Sequence, residues 1–93
     1  MHSCKVTFKG SVLDLKVELE GEEVGLSFDG TDTWSRIINH LKIEGDLNVF
    51  MRCKGINKTP WEFQIDLDGK TLKKYSGIIA KGFSIVTNEI SIN

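Results

Sequence analysis

The stretch that decides the fold runs from Trp61 to Gly69 and reads Trp-Glu-Phe-Gln-Ile-Asp-Leu-Asp-Gly. Large apolar side chains occupy every second position as far as Leu67, and polar or charged side chains occupy the positions between them. Successive side chains of a strand point to opposite faces, so this alternation predicts a strand with one face in a core and the other in water. Asp68-Gly69 favours a two-residue type I′ turn, which needs two residues with positive φ. The stretch therefore predicts one half of a β-hairpin.

The same two-residue period recurs in four other segments, which are residues 6–8, 13–19, 24–28 and 47–54. In residues 13–20 four aliphatic side chains alternate with four charged ones, so we expect the core face to carry Leu13, Leu15, Val17 and Leu19. Gly21 separates the second segment from the third, which predicts a hairpin across Glu20–Glu23. Near the C-terminus one or two final strands are indicated by Phe83, Ile85, Ile90 and Ile92.

The segment from Trp34 to Leu41 allows two interpretations. Its apolar residues Trp34, Ile37, Ile38 and Leu41 have the spacing of one face of a helix. A strand would instead place Trp34, Arg36 and Ile38 on one side. We favour the strand because the segment is short, contains β-branched residues and lies among other predicted strands. The helix remains the alternative.

These patterns predict an all-β protein. Seven to nine short strands, turn residues every 8–12 positions and at most one short helix are typical of an antiparallel β-sandwich or a small barrel, and we favour the sandwich. The two variants that fit are an immunoglobulin-like and a jelly-roll-like sandwich. The chain has 93 residues, of which 40% are apolar, and this size fits a single domain over residues 1–93 with one core.

The stretch from Leu41 to Gly69 resembles the last strands of bacterial immunoglobulin-like modules. It reads Leu-Lys-Ile-Glu-Gly-Asp-Leu-Asn-Val-Phe-Met-Arg-Cys, followed by a loop and by Trp-Glu-Phe-Gln-Ile-Asp-Leu-Asp-Gly. The Cys…Trp…Cys order of antibody domains is missing, because Cys4 comes too early and Trp34 precedes Cys53 only loosely. The resemblance implies an immunoglobulin-like sandwich of bacterial type, and it implies no particular activity.

Charge and hydropathy exclude several classes of protein. Twelve basic and thirteen acidic side chains give a net charge of −1, which removes the electrostatic basis for nucleic-acid binding. No apolar run approaches the roughly 20 residues that a transmembrane helix needs. The first ten residues lack the apolar core of a secretory signal, so we expect a soluble cytoplasmic protein. The alternative is an exported or surface-attached protein from which a signal peptide has been removed.

Residues suited to catalysis or metal binding occur singly rather than in sets. The histidines, His2 and His40, are predicted at a chain end and in a turn, with no partner of known catalytic spacing. The segments 29–32 and 66–69 contain Asp and Gly but no complete calcium-binding loop, so they are typical of turns. We therefore predict no catalytic residue, no metal site and no cofactor.

The two cysteines, Cys4 and Cys53, both have the parity of core-facing positions. Burial in apolar surroundings makes a thiol unreactive, so we expect structural thiols that stay reduced in the cytoplasm. A Cys4–Cys53 disulfide is the alternative for an exported protein, and it needs Cα atoms within about 7 Å of each other.

Three segments combine exposed positions with apolar or basic side chains. Phe50 has solvent-facing parity beside two cations, and such a ring can stack on a partner's side chain or on a sugar. Ile56 is the apolar residue of the loop that joins two strongly patterned strands. Tyr75 belongs to a Lys-rich strand, which we expect at a sheet edge. The candidate binding surface comprises Phe50, Arg52, Lys54, Ile56, Asn57, Lys58, Thr59 and Tyr75.

This surface and the lack of a catalytic set predict a non-catalytic binding or interaction module that is a monomer or a weak homo-oligomer. We expect its partner to be another protein. The alternative is a carbohydrate-binding module with a glycan ligand, which would use Phe50, Trp34 and Tyr75 as an exposed aromatic platform.

Charge is distributed unevenly along the chain. Residues 14–46 contain nine acidic and three basic side chains, whereas residues 52–81 contain three acidic and seven basic ones. One interpretation is cross-strand ion pairing between the two halves of the sandwich. The other is a charge asymmetry that orients a partner or promotes head-to-tail association.

Overall fold

The structure is a computed structural model that describes residues 1–92. These residues form nine strands and no helix. The strands are β1 (His2–Lys9), β2 (Asp14–Leu19), β3 (Glu22–Glu23), β4 (Ser27–Phe28), β5 (Thr33–Leu41), β6 (Asp46–Lys54), β7 (Pro60–Leu67), β8 (Lys70–Ile78) and β9 (Phe83–Ser91). The predictions of an all-β chain and of seven to nine strands are confirmed. The segment from Trp34 to Leu41 is a strand, so the helical alternative is wrong.

The strands form two antiparallel sheets that pack as a sandwich. Sheet 1 has the order β4-β5-β1-β7-β8 and sheet 2 has the order β3-β2-β6-β9. Edge strands β8 and β9 contact each other on one side of the sandwich. The other two edges, β3 and β4, are joined by only three residues and therefore lie together on the opposite side. No helix in the described part of the chain could cross a membrane.

The core lies between the sheets and is built from the alternating segments. Phe8, Phe63 and Met51 are fully buried, and Phe8 and Trp61 stack with ring centroids 6.2 Å apart. Residues from both sheets complete the core, namely Cys4, Val6, Val17, Leu19, Leu47, Val49, Cys53, Ile65, Ile79 and Ile90. The predicted alternation from Trp61 to Leu67 is confirmed, since its polar positions are less buried than the three apolar residues from Trp61 to Ile65.

Leu13 departs from the predicted core face. Its side chain is 81% exposed, because the residue lies in a bend before β2 begins and its backbone N–H donates to the carbonyl of Lys54 (2.8 Å). The preceding Val12 packs against the core instead. Leu15 is half-buried, and only Val17 and Leu19 of that segment are fully inside.

The predicted hairpin across Glu20–Glu23 is correct for only two residue pairs. Glu18 pairs with Glu23 and Leu19 with Glu22, around a turn in which Glu20 and Gly21 have φ of 53° and 80°. Residues 24–26 then leave sheet 2, and Ser27–Phe28 join sheet 1 as β4. Val24 and Leu26 pack against the core. Their partial burial stabilises a path in which residues 24–26 cover the open side of the sandwich, and this path ends the hairpin after two pairs.

The Asp68-Gly69 turn forms as predicted, with φ of 50° and 84°. Asp68 also holds the N-terminal strand: its Oδ2 lies 2.7 Å from His2 Nδ1, and its Oδ1 accepts the backbone N–H of Ser3 (2.9 Å). These hydrogen bonds, with His2 first and Ser3 second, lower the pKa of the Asp68 carboxyl. The turn therefore ties β1 to the β7–β8 hairpin through an ionised carboxylate.

Replacement of a core residue tests the assigned parity. We expect Phe63→Ala to lower the free energy of unfolding by about 3–5 kcal/mol, because Phe63 is fully buried and its loss leaves a cavity. The control is Glu62→Ala, whose exposed side chain faces water and whose effect should stay below about 0.5 kcal/mol. Urea unfolding of both variants measures the difference, and equal effects would contradict the parity.

The Asp68 contacts predict a specific acid sensitivity. Because the folded pKa of Asp68 lies below its ordinary value of 3.8, the stability that it contributes is present above that value and is lost as pH falls through the folded pKa. Asp68→Asn should therefore melt at a lower temperature than wild type at neutral pH, and the gap should narrow as pH falls below 3.8 and the Asp68 carboxylate of the folded wild type becomes protonated. Asp46→Asn, at an exposed position of β6, is the control. A gap of constant size across this range would argue against the Asp68 contacts.

Candidate functional site

The outer face of sheet 2 combines exposed apolar and basic side chains. On β6, Phe50, Arg52 and Lys54 point away from the core, as their parity predicts. On the neighbouring strand β9, Phe83 pairs with Lys54 and Ile85 pairs with Arg52. Phe83 and Ile85 are 44% and 50% exposed, although both are large apolar residues. We call this surface the sheet 2 face, and it consists of Phe50, Arg52, Lys54, Phe83 and Ile85.

The acidic residues beside Arg52 and Lys54 lie on β2. Lys54 pairs with Asp14 and Arg52 pairs with Lys16 across the β2–β6 ladder. Asp14 Oδ2 lies 3.9 Å from a terminal nitrogen of Arg52, and Lys16 Nζ lies 3.5 Å from Glu18. The charges of β2 are thus partly satisfied within their own strand and by Arg52. The β9 half of the face has no charge at Phe83 or Ile85 and remains apolar.

Phe50 borders a shallow groove of about 420 Å³ at the other end of this face. Its ring is half-buried, and the groove is also lined by Glu18, Asn48, Thr87 and Glu89. Two carboxylates therefore lie near Phe50, whereas the cations lie toward Lys54. The sheet 2 face is consequently basic and apolar at one end and acidic at the other.

The predicted loop adjoins the basic end of the sheet 2 face. The N–H of Gly55 donates to Gly82 (3.0 Å), and the N–H of Lys58 donates to Ile79 (2.8 Å). Asn57 Oδ1 accepts the N–H of Gly82 (2.7 Å), so this side chain holds two loops together rather than facing a partner. Ile56 is 73% exposed on the resulting double loop. Backbone hydrogen bonds thus hold the loop in one conformation beside the face.

Tyr75 does not join the other predicted surface residues. It pairs with Phe63, and the two rings lie 5.9 Å apart, so Tyr75 faces the interior of the sandwich. Its hydroxyl accepts a hydrogen bond from Asn88 Nδ2 (2.7 Å), which links β8 to β9 across the open side. Lys73 Nζ lies 5.9 Å from the Tyr75 ring centroid. Tyr75 therefore closes the sandwich between its two edge strands.

The three aromatic residues considered for a glycan platform lie on different surfaces. Phe50 belongs to the sheet 2 face and Tyr75 lies between the sheets. Trp34 is half-buried on β5 of sheet 1, where its ring centroid is 4.5 Å from that of Phe28. The structure does not bring these rings together.

A groove on sheet 1 was missed by the sequence reasoning. It has a volume of about 630 Å³ and is lined by Lys9, Asp32, Pro60, Trp61, Ser76 and Ile78, among others. Thr59 is the one predicted surface residue that lines it. The apolar pair Phe83 and Ile85 was also not selected from the sequence. The alternation within β9 could have identified them, because Phe83 and Ile85 have the opposite parity to Val86 and Ile90 and so face solvent.

The acidic residues around β3 and β4 and the lysines of β8 lie on opposite sides of the sandwich. The acidic side carries Glu22 and Glu23 in β3 and Asp29 directly after β4. The basic side carries Lys70, Lys73 and Lys74 on β8 and Lys81 between β8 and β9. Among the described residues, Arg52–Asp14 is the one ion pair that joins the acidic and basic halves of the sequence. The charge asymmetry of the sequence is thus an asymmetry of the molecular surface.

The remaining chemically interesting residues have structural contacts. Asp29 Oδ1 accepts the backbone N–H groups of Thr31, Asp32 and Thr33 at 2.8–3.2 Å, and these hydrogen bonds lower the pKa of its carboxyl. This carboxylate therefore organises the turn before β5. His40 is exposed in β5 rather than in a turn, with φ of 63° where β5 has one residue more than β1.

Cys4 and Cys53 are free and buried, one in each sheet. Burial, and to a lesser degree the charges of Asp66 and Asp68, raises the pKa of Cys4 from 9.0 to about 11. Burial also raises the pKa of Cys53, against smaller opposing contributions from backbone hydrogen bonds. Both thiols are therefore protonated at neutral pH.

Comparison with protein-family models, with curated proteins and with solved structures found no match to this chain. The resemblance of residues 41–69 to bacterial immunoglobulin-like modules therefore stays a prediction. The function is therefore inferred from the geometry of the site.

The buried thiols predict slow chemical labelling. Because the thiolate is the reactive form, a raised pKa and burial should keep Cys4 and Cys53 from reacting with Ellman's reagent at neutral pH in the folded chain. Under denaturing, non-reducing conditions both should react at once. Rapid labelling of the native chain would contradict the burial, and absence of thiols after denaturation would indicate a disulfide.

Proposed function

We propose that this chain is a non-catalytic interaction module that binds another protein through the sheet 2 face. The observation that carries the proposal is the exposure of Phe83 and Ile85 directly beside Arg52 and Lys54. Aromatic, aliphatic and arginine side chains on a solvent-facing surface are the composition that protein interfaces favour at their centres.

The scaffold supports this function because it holds the face in one shape. β6 is paired along its whole length with β9 on one side, and from Val49 to Lys54 with β2 on the other. The double loop at residues 55–59 and 79–82 is joined by several backbone hydrogen bonds. A surface that is already ordered loses little conformational entropy when a partner binds. The affinity can therefore come from burying the apolar pair.

The charges of the face favour a partner with acidic residues around an apolar centre. Arg52 and Lys54 flank the apolar pair, and Lys58 and Lys81 lie in the adjoining double loop. Complementary charges accelerate association and select among partners more than they add to affinity. We infer a reducing compartment such as the cytoplasm, which the two free thiols support.

Selection from a random peptide library tests the function without a known partner. We expect immobilised wild-type chain to enrich a peptide family, and Ile85→Ser to reduce its binding at least about ten-fold, because one fully buried aliphatic side chain contributes about 1.5–3 kcal/mol. The control is Ile37→Ser, which removes an equally exposed isoleucine from the outer face of sheet 1. Binding is measured by fluorescence anisotropy.

Two results would contradict the proposed function. One is enrichment that Ile37→Ser and Ile85→Ser weaken equally, since binding would then not involve the sheet 2 face. The other is a chain that enriches no peptide family yet binds members of a glycan array with a change in tryptophan fluorescence. That second result would establish the carbohydrate-binding alternative in place of a protein partner.

A further inference from the structure

Strand β9 is a sheet edge with unused backbone groups. It pairs with β6 from Phe83 to Ser91 without interruption, and no strand of residues 1–92 pairs with its other side. Alternate residues of a strand direct their N–H and C=O groups to opposite edges. Gly82 directs its carbonyl toward the β6 side, where it accepts from Gly55, and Phe83 exchanges two 3.3 Å hydrogen bonds with Ala80 on the other side. The open edge therefore presents the backbone groups of Ile85, Thr87 and Glu89.

The neighbouring edge strand β8 is protected against such pairing, whereas β9 is not. β8 has the sequence KTLKKYSGI, with three lysines and one extra residue that interrupts its register with β7 near Leu72. Lysines and bulges are the devices by which natural edge strands avoid pairing. β9 has the sequence FSIVTNEIS, with no lysine, proline or glycine and no bulge. It is the flat, β-branched edge that readily accepts another strand.

The environment of this edge is basic on its inner side. Lys73 Nζ lies 5.9 Å from the Tyr75 ring centroid, and the Tyr75 hydroxyl accepts a hydrogen bond from Asn88 of β9, so Lys73 is on the face of β8 that is turned toward the inner side of this edge. Lys74 lies on the outer face of sheet 1, where it contacts Glu62 (3.9 Å), whereas Lys70 and Lys73 pair with the inward-facing Leu67 and Ile65. A strand added to β9 would have one face toward these lysines and the other face in line with Ile85. The inward-facing side chains of the added strand would therefore lie near basic residues, and its outward-facing side chains would lie near apolar ones.

A second copy of this chain fits the edge poorly. Symmetric pairing of two β9 strands would also bring the two β8 strands to the same side of the joint, because β8 and β9 lie together. Lys70 and Lys73 of each copy would then lie toward those of the other, and like charges oppose association. Glu89, the one acidic residue of β9, lies on the outward-facing side of the strand and does not offset these charges. The charge of this side favours an acidic occupant.

We propose that the open edge of β9 accepts an extended segment of a partner protein as a fifth strand of sheet 2. The segment alternates acidic side chains, which face Lys73, with apolar side chains, which extend the row of Phe83 and Ile85 on the sheet 2 face. This inference rests on the proposed function and specifies the partner as an acidic–apolar β-strand. Backbone hydrogen bonds supply affinity in such strand addition, and the alternating side chains supply specificity.

A synthetic seven-residue peptide alternating glutamate and valine is the probe, and its counterpart alternating lysine and valine is the control peptide. Isothermal titration calorimetry should detect binding of the acidic peptide and at least ten-fold weaker binding of the basic one. Amide hydrogen exchange followed by NMR should show new protection at Ile85, Thr87 and Glu89. Chemical-shift changes at Phe50 and Arg52 without new protection at Ile85, Thr87 and Glu89 would place the peptide on the sheet 2 face and overturn strand addition.

Variants separate the backbone contribution from the charge contribution. Thr87→Pro removes an N–H that points to the open edge while leaving the β6 ladder intact, so it should abolish peptide binding. Thr87→Val keeps the N–H and should bind as wild type. Lys73→Glu should weaken the acidic peptide roughly five-fold, whereas Lys5→Glu on the outer face of sheet 1 should not. If Thr87→Pro fails to fold, the binding of Lys73→Glu and the amide exchange of the wild type still test strand addition.

Two further outcomes keep this inference distinct from the proposed function. If the acidic peptide does not bind but library peptides still depend on Ile85, the interaction function stands and strand addition is wrong. If sedimentation shows a dimer that Lys73→Glu strengthens, the occupant of the edge is a second copy and the acidic partner is wrong. Binding of the basic peptide as tightly as the acidic one would also overturn the proposal.

Discussion

The structure depends on one constraint, which is that both sheets must direct the same alternate side chains into a shared interior. Phe63 and Met51 meet this condition on β7 and β6, and their full burial excludes a shift of either strand by one residue. Such a shift would exchange the two faces of a strand and bring charged residues into the core. Every outward-facing residue is therefore placed by the burial of its neighbours. The sheet 2 face exists because Val49, Met51 and Cys53 are inside and the residues between them are outside.

The two open sides of the sandwich are covered differently. This matters because backbone polar groups at a strand edge need hydrogen-bond partners. Residues 24–26 close the side of β3 and β4 by packing apolar side chains across it. On the opposite side, Tyr75 and Asn88 bridge the two sheets by one hydrogen bond, but they leave the outer edge of β9 without a strand. The two sides also differ in charge. One side is acidic and closed, and the other is basic and has an available strand edge. A partner can therefore pair with a strand on the basic side only.

The predictions that failed did so where packing acted against a local pattern. Leu13 has the same parity as Val17, but the strand begins only after it, and Val12 takes the interior position. Residues 24–28 alternate as a hairpin partner of β2 should, yet they change sheets after two residue pairs because both sheets need cover on that side. Tyr75 has the sequence of an exposed edge residue, and it turns inward because its partner across the ladder is the buried Phe63.

The sequence alone determined the fold class, the number of strands, the turn at Asp68-Gly69 and the outward direction of Phe50, Arg52 and Lys54. These features are local, since alternation and turn residues act within a few positions of the chain. Only the tertiary structure decided which strands lie at the edges, that Phe83 and Ile85 stand beside the cations of β6, and that the acidic residues around β3 and β4 lie on the side opposite to the lysines of β8. These features depend on contacts between residues far apart in the chain, and no short segment specifies which distant strand will lie beside it.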